Sequence, residues 1–78
     1  MKLGYEPKTR QFVFKCLAQE KDIAIRNGFF WDSNWKIWRT RNPQNARKLE
    51  QYATPRIRKI IGEEIYRFHY EPRNYAVH

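Results

Sequence analysis

The stretch Gly28-Phe29-Phe30-Trp31-Asp32-Ser33-Asn34-Trp35-Lys36-Ile37-Trp38-Arg39-Thr40 holds all three tryptophans and two of the five phenylalanines of a 78-residue chain. Aromatic and β-branched residues on either side of an Asp-Ser-Asn turn cluster predict a β-hairpin. With Ser33 and Asn34 as a two-residue loop, the pairs are Trp31 with Lys36, Phe30 with Ile37 and Phe29 with Trp38. Alternation puts Phe29, Trp31, Lys36, Trp38 and Thr40 on one face, and Phe30, Asp32, Trp35, Ile37 and Arg39 on the other. Both faces are aromatic. If one packs on the core, the other is an apolar and basic surface larger than a solvent face needs.

N-terminal to this stretch, Lys2 to Tyr5 reads as a strand, Glu6-Pro7-Lys8-Thr9 as a turn and Arg10 to Leu17 as a second strand. Phe12, Phe14 and Cys16 share its apolar face. Gln19 to Asp22 opens a short helix carrying Ile23 and Ala24, which Asn27-Gly28 ends with the glycine as its left-handed cap. On the C-terminal side, Asn42-Pro43 and Thr54-Pro55 are two N-cap-plus-proline starts. The first predicts a helix over 43–53 with Ala46, Leu49 and Ala53 inward. The second predicts a helix from Pro55 to about Tyr66 with Ile57, Ile60, Ile61 and Ile65 inward. Gly62 within it costs about 1 kcal/mol relative to alanine.

A short repeat runs through these elements. Tyr5-Glu6-Pro7-Lys8 returns as Tyr70-Glu71-Pro72-Arg73, and Trp31-Asp32-Ser33 has the same order of aromatic, acid and turn residue. An apolar residue follows the aromatic by seven positions each time, at Phe12, Val77 and Trp38. The pattern predicts three hairpins on one plan. The expected architecture is a single α+β domain, an antiparallel sheet built from β-hairpins with two or three helices on one face.

Length allows one thin core, and with 17% aromatic residues that core is built from rings. The single cysteine, Cys16, cannot make an intrachain disulfide, which favours an intracellular chain. No apolar run is long enough to span a membrane, and MKLGYEPKTR lacks the apolar core of a signal peptide. Sixteen Lys and Arg against eight Asp and Glu give a net charge of +8, which points to a polyanion, nucleic acid before membrane. From Lys36 to Lys59 there are eight cations and one acid, Glu50.

Catalysis finds no constellation. The histidines are His69 and His78, no Cys/His set has zinc spacing, the adjacent Glu63 and Glu64 point to different helix faces, and Ser33 has no nearby base. Three scattered glycines make no phosphate loop. Neither metal nor cofactor is expected, and no enzymatic activity.

The candidate binding residues divide in two. Trp35, Phe30 and Arg39 would form a stacking platform unless another element covers that face, whereas Phe29, Trp31 and Trp38 are expected in the core. Lys36, Arg39, Arg41, Arg47, Lys48, Arg56, Arg58 and Lys59 would meet phosphates, or else form a solvated charged face. The helix N-termini at Pro43 and Pro55 would add amides suited to phosphate.

The run from Gly28 to Thr40, followed by the capped helix with Ala46 and Leu49, resembles a small module found in or beside Swi/Snf-type helicases of bacteria and phages. Its pattern of Gly, aromatic, any, Trp, Asp, turn, Lys, apolar, Trp, any, Thr is met by Gly28, Phe29, Trp31, Asp32, Lys36, Ile37, Trp38 and Thr40. The chain is similar, too, to the broader HepA-related (HARP) domains, in which a helix leads into a Tyr- or Trp-containing hairpin. The likeness covers roughly Phe12 to Ala53. Phe30 stands where the pattern is basic or polar, and Ser33 where a turn proline is common. The resemblance implies a nucleic-acid-binding accessory module, DNA before RNA, without catalytic residues of its own. A helicase or another protein is a possible partner, and the rival expectation is a protein-interaction domain, or a homodimer, docking through the aromatic face.

Overall fold

The computed structural model describes residues 1–70. Four antiparallel strands, β1 (Lys2–Glu6), β2 (Gln11–Lys15), β3 (Phe30–Asp32) and β4 (Ile37–Thr40), form one sheet in the order β1-β2-β4-β3. Three helices, α1 (Lys21–Arg26), α2 (Pro43–Arg47) and α3 (Pro55–Tyr70), complete a small α+β fold. Two 3-10 turns, Ala18–Glu20 and Glu50–Tyr52, lead into α1 and follow α2. Among the described residues no helix is long and apolar enough to cross a membrane.

Alternation along the strands decides where the core lies. Leu3, Phe12 and Phe14 point to the helical side and are buried, where they meet Ala24 of α1, Phe29, Ala46, Leu49, Ala53 and Ile61. Burying each of these large side chains stabilises the fold by about 1.5–3 kcal/mol. Rings dominate: Phe14 packs 5.8 Å from both Phe29 and Tyr52, and Tyr5 lies 4.9 Å from Phe12. The opposite side of the sheet has no helix on it among the described residues.

Two local devices set the entry and exit of the hairpin. At its start α1 ends in a Schellman cap: Gly28 N–H donates to the Ile25 carbonyl (3.1 Å) and Phe29 N–H to that of Ala24 (3.0 Å). Gly28 takes φ +84°, which lets the chain turn sharply enough to bury Phe29. At its exit Asn42 Oδ1 accepts from Gln44 N–H, capping α2, and Asn45 Nδ2 donates to Thr40 Oγ1 (3.0 Å) and the Gly28 carbonyl (3.4 Å). Asn45 thereby ties α2 to both ends of the stretch from Gly28 to Thr40.

The hairpin register differs from the two-residue loop expected. The pairs are Phe30 with Arg39, Trp31 with Trp38 and Asp32 with Ile37, so Ser33 to Lys36 form a four-residue loop. A type I′ loop needs φ > 0 at both central residues and favours Asn-Gly; here Lys36 (φ +53°) takes the left-handed position. Asp32 Oδ1 accepts the N–H groups of Asn34 (2.9 Å) and Trp35 (3.2 Å), which wraps the longer loop around the carboxylate. Because the shift is two residues, the strand residues keep their expected faces, whereas Trp35 and Lys36 leave the strands for the loop.

The first hairpin follows the same plan. Glu6 pairs with Gln11 across a four-residue loop that ends on Arg10 at φ +55°, as Asp32 pairs with Ile37 across a loop ending on Lys36. The aromatic pairs also correspond, Tyr5 with Phe12 and Trp31 with Trp38. The third expected hairpin, from Tyr70 to Val77, lies outside the described residues except for Tyr70, which ends α3.

Two helices differ in length from the sequence expectation. The helix expected over 43–53 stops at Arg47, and the chain goes on in three-residue steps, with Leu49 N–H donating to Ala46 and Tyr52 N–H to Leu49. This tighter winding carries Leu49 and Ala53 into the core and lays Tyr52 on Phe14. The last helix reaches Tyr70, with Glu64 holding it to the first hairpin through the Tyr5 hydroxyl (3.3 Å) and Arg10 (3.4 Å).

Candidate nucleic-acid interface

Arg39, expected as an exposed cation of a stacking platform, is buried at the centre of the open sheet face. Its Nε donates to Asp32 Oδ2 at 2.6 Å, its Nη1 to Glu6 Oε1 at 2.9 Å, and Gln11 Oε1 lies 3.3 Å from the same nitrogen. One guanidinium thus clamps the acid that opens each hairpin loop. The hydrogen bond from Arg39, with help from Thr9, holds the Glu6 carboxyl below its ordinary range. At Asp32 desolvation pulls upward, but Arg39 and the N–H groups of Trp35 and Asn34 outweigh it and the carboxyl is lowered. Both acids, in turn, hold the guanidinium in its charged form, Glu6 most strongly. Arg39 is therefore a structural anchor and not a free phosphate ligand.

Its partner Asp32 is what shapes the loop that carries Trp35. The Trp35 side chain is 75% exposed at the tip with Lys36, also exposed, beside it. Phe30, on edge strand β3, shares the open face and is 50% exposed. An exposed aromatic on a turn whose backbone is already tied to Asp32 suits a planar ligand, since the loop itself need not be ordered on binding. Trp31, expected in the core, is instead 49% exposed, because β3 is the sheet edge and the helical layer does not reach past it; its ring leans on Trp38 at 5.2 Å.

Two cations on the same face lay outside the sequence expectation. Lys2 and Lys15 are direct cross-strand partners on the open side, astride a shallow depression of about 190 Å³ whose floor is Gly4 and Val13. Like charges directly opposite one another repel, so an anion between them is favoured. The strand register puts them toward the end of the sheet from which the Ser33–Lys36 loop projects. The turn expected at Glu6 to Thr9 is instead a loop over 7–10 with Glu6 paired to Gln11, and this shifted register is what sets Lys2 opposite Lys15.

The remaining cations sit on the helical layer. Arg41 follows β4, Arg47 and Lys48 close α2, and Arg56, Arg58 and Lys59 lie in the first turns of α3, all exposed. Arg58 Nε donates to the Glu50 carbonyl (3.2 Å) and so also fastens the turn before α3. The other five, and Lys36, form no ion pair among the described residues. The helix starts are less open than expected: Asn42 caps α2, only five residues long, and Thr54 Oγ1 accepts from Ile57 N–H in α3.

The groups considered for chemistry are scattered. No cluster of His, Cys, Asp and Glu able to hold a metal is found among the described residues. Cys16 is half-buried, and burial, followed by the charge of Glu20, pushes its thiol pKa up, away from a reactive thiolate. His69 meets the Gln44 side chain at 3.2 Å, and His78 lies outside the described residues. Comparison with family models, curated proteins and solved structures finds no match.

Proposed function

We propose that this chain is a non-catalytic nucleic-acid-binding module, with DNA favoured over RNA, of the HARP-like kind that its hairpin resembles. The observation that carries the reading is Trp35, three-quarters exposed on a loop that the Asp32–Arg39 pair holds in shape. A buried ring would stabilise the fold; this one does not, and an exposed indole beside a lysine is a stacking surface for a base. Phe30 supplies a second exposed ring, on the open face of the sheet. Lys2 and Lys15 on that face and Lys36 in the loop are suited to phosphates, as are Arg41, Arg47, Lys48, Arg56 and Lys59 on the helical layer.

Fluorescence anisotropy with labelled oligonucleotides tests this. Trp35→Ala is expected to weaken binding by about 1–3 kcal/mol, the worth of one stacked base. Unchanged affinity in that variant overturns the role given to the tip.

A second reading has an observation of its own. Leu17, Ile25, Trp31 and Trp38 line a groove of about 490 Å³ over Cys16, with Lys21 its one charged lining residue. An apolar groove beside an open sheet edge suits a protein segment, such as a helicase or a second copy of this chain. Binding through it would survive high salt and would depend on Trp31 in place of Trp35.

A further inference from the structure

The outward face of α3 carries features that the fold does not use. Tyr66 and Tyr70 are 63% and 69% exposed and their rings lie 4.9 Å apart, one helical turn from each other. Gly62, one turn before Tyr66, has open space where a Cβ would be, with no atom of the described residues beyond its own helix backbone within 4 Å. A mid-helix glycine is unfavourable relative to alanine, and among the described residues nothing packs against this one to require it. Lys59, one turn further back, completes the stripe, and Arg56 continues it toward the start of the helix.

Together Lys59, Gly62, Glu63, Tyr66 and Arg67 line a depression of about 610 Å³. Its charges are uneven along the helix. Arg67 is engaged by Glu64 at 2.9 Å, Glu63 stands at the middle, and Lys59 and Arg56 form no ion pair among the described residues. A phosphate is repelled from the centre by Glu63 and drawn toward Lys59 and Arg56. The floor over Gly62 and the side of Tyr66 are left for a flat, uncharged group. The chain's charge of +8 and the cations on this face argue against a second copy as the occupant.

We propose that this face takes an unpaired base, laid over Gly62 against Tyr66 with its phosphate toward Lys59, and that the domain therefore prefers single-stranded to double-stranded nucleic acid. The inference rests on the nucleic-acid reading above and adds a second site to it. Strand preference follows because a tyrosine stacks on a base only where the base's face is open, and a duplex covers those faces.

The test uses the full chain, a labelled single-stranded oligothymidylate and a labelled duplex of the same length, followed by anisotropy. Tyr66→Ala and Gly62→Gln are each expected to lower single-strand affinity about tenfold and to leave duplex affinity as it was. Thermal melting keeps the result readable: Gly62→Gln, a better helix former filling empty space, should raise Tm by about 4 °C or more. Single-strand affinity unchanged in both variants overturns the inference and leaves the Trp35 site standing, as do equal losses on both strands. A lower Tm in Gly62→Gln overturns it too, since the glycine would then be structural. No binding of either oligonucleotide by the unaltered chain overturns both this inference and the reading it rests on.

Discussion

Gly28→Ala is the smallest change that should unsettle the whole hairpin. At φ +84° an L side chain is strained by about 1–2 kcal/mol. The added Cβ would also stand 2.5 Å from Asn45 Nδ2 and 2.8 Å from Asn45 Cγ, so the asparagine must move. Moving it breaks the 3.0 Å bond to Thr40 Oγ1, worth about 1 kcal/mol. The sum is about 2–3 kcal/mol, against roughly 4–12 kcal/mol for a domain of this length. Each kcal/mol shifts Tm by about 4–8 °C at this size, so a fall of about 10–20 °C is expected by circular dichroism. Asn45→Ala alone should cost about 1 kcal/mol, and the double variant should lose less than the sum of the two single losses, because the clash has lost its partner. A Gly28→Ala melt within experimental scatter of the unaltered chain would refute the reasoning, as would strict additivity in the double variant.

Other outcomes follow from the same geometry. Trp35→Ala should leave stability within about 0.5 kcal/mol, because its ring is mostly in solvent, whatever it does to binding. Phe14→Ala, by contrast, empties the fully buried centre and should cost about 3–5 kcal/mol by denaturant titration. Acid should act through Glu6 and Asp32. Both are lowered in the folded state, so the stability they contribute is complete above the ordinary carboxylate range and is lost as pH falls through their folded values. Melts recorded on lowering pH through that range should show Tm falling, and Arg39→Met should lower Tm at neutral pH while flattening the acid-dependent part.

Much of this could be read from residue order. Period-2 alternation placed Phe12 and Phe14 in the core and sorted the hairpin into its two faces, and Gly28 announced the helix cap. What alternation does not contain is strand order. Knowing that β4 lies between β2 and β3 is what shows that Arg39 is central, within reach of both Glu6 and Asp32, and that Trp31 sits at an edge. Loop length is not fixed by propensity, because Asp32 can organise a four-residue turn by accepting two backbone N–H groups. Likewise the early end of α2 reflects Leu49 and Tyr52 reaching the core, a tertiary demand that overrides a helical pattern. The exposed cations were legible by composition, but only the register showed Lys2 opposite Lys15.

If the surface cations left without acid partners meet phosphates, oligonucleotide affinity must depend on salt. Salt dependence of oligonucleotide affinity tests it most directly, comparing the unaltered chain with the Arg47→Ala, Arg56→Ala, Lys59→Ala triple variant. Affinity should fall steeply with salt, with a log–log slope shallower by about two to three in the triple variant as its phosphate contacts are lost. Affinity indifferent to salt, or a slope the triple variant leaves unchanged, would contradict those contacts.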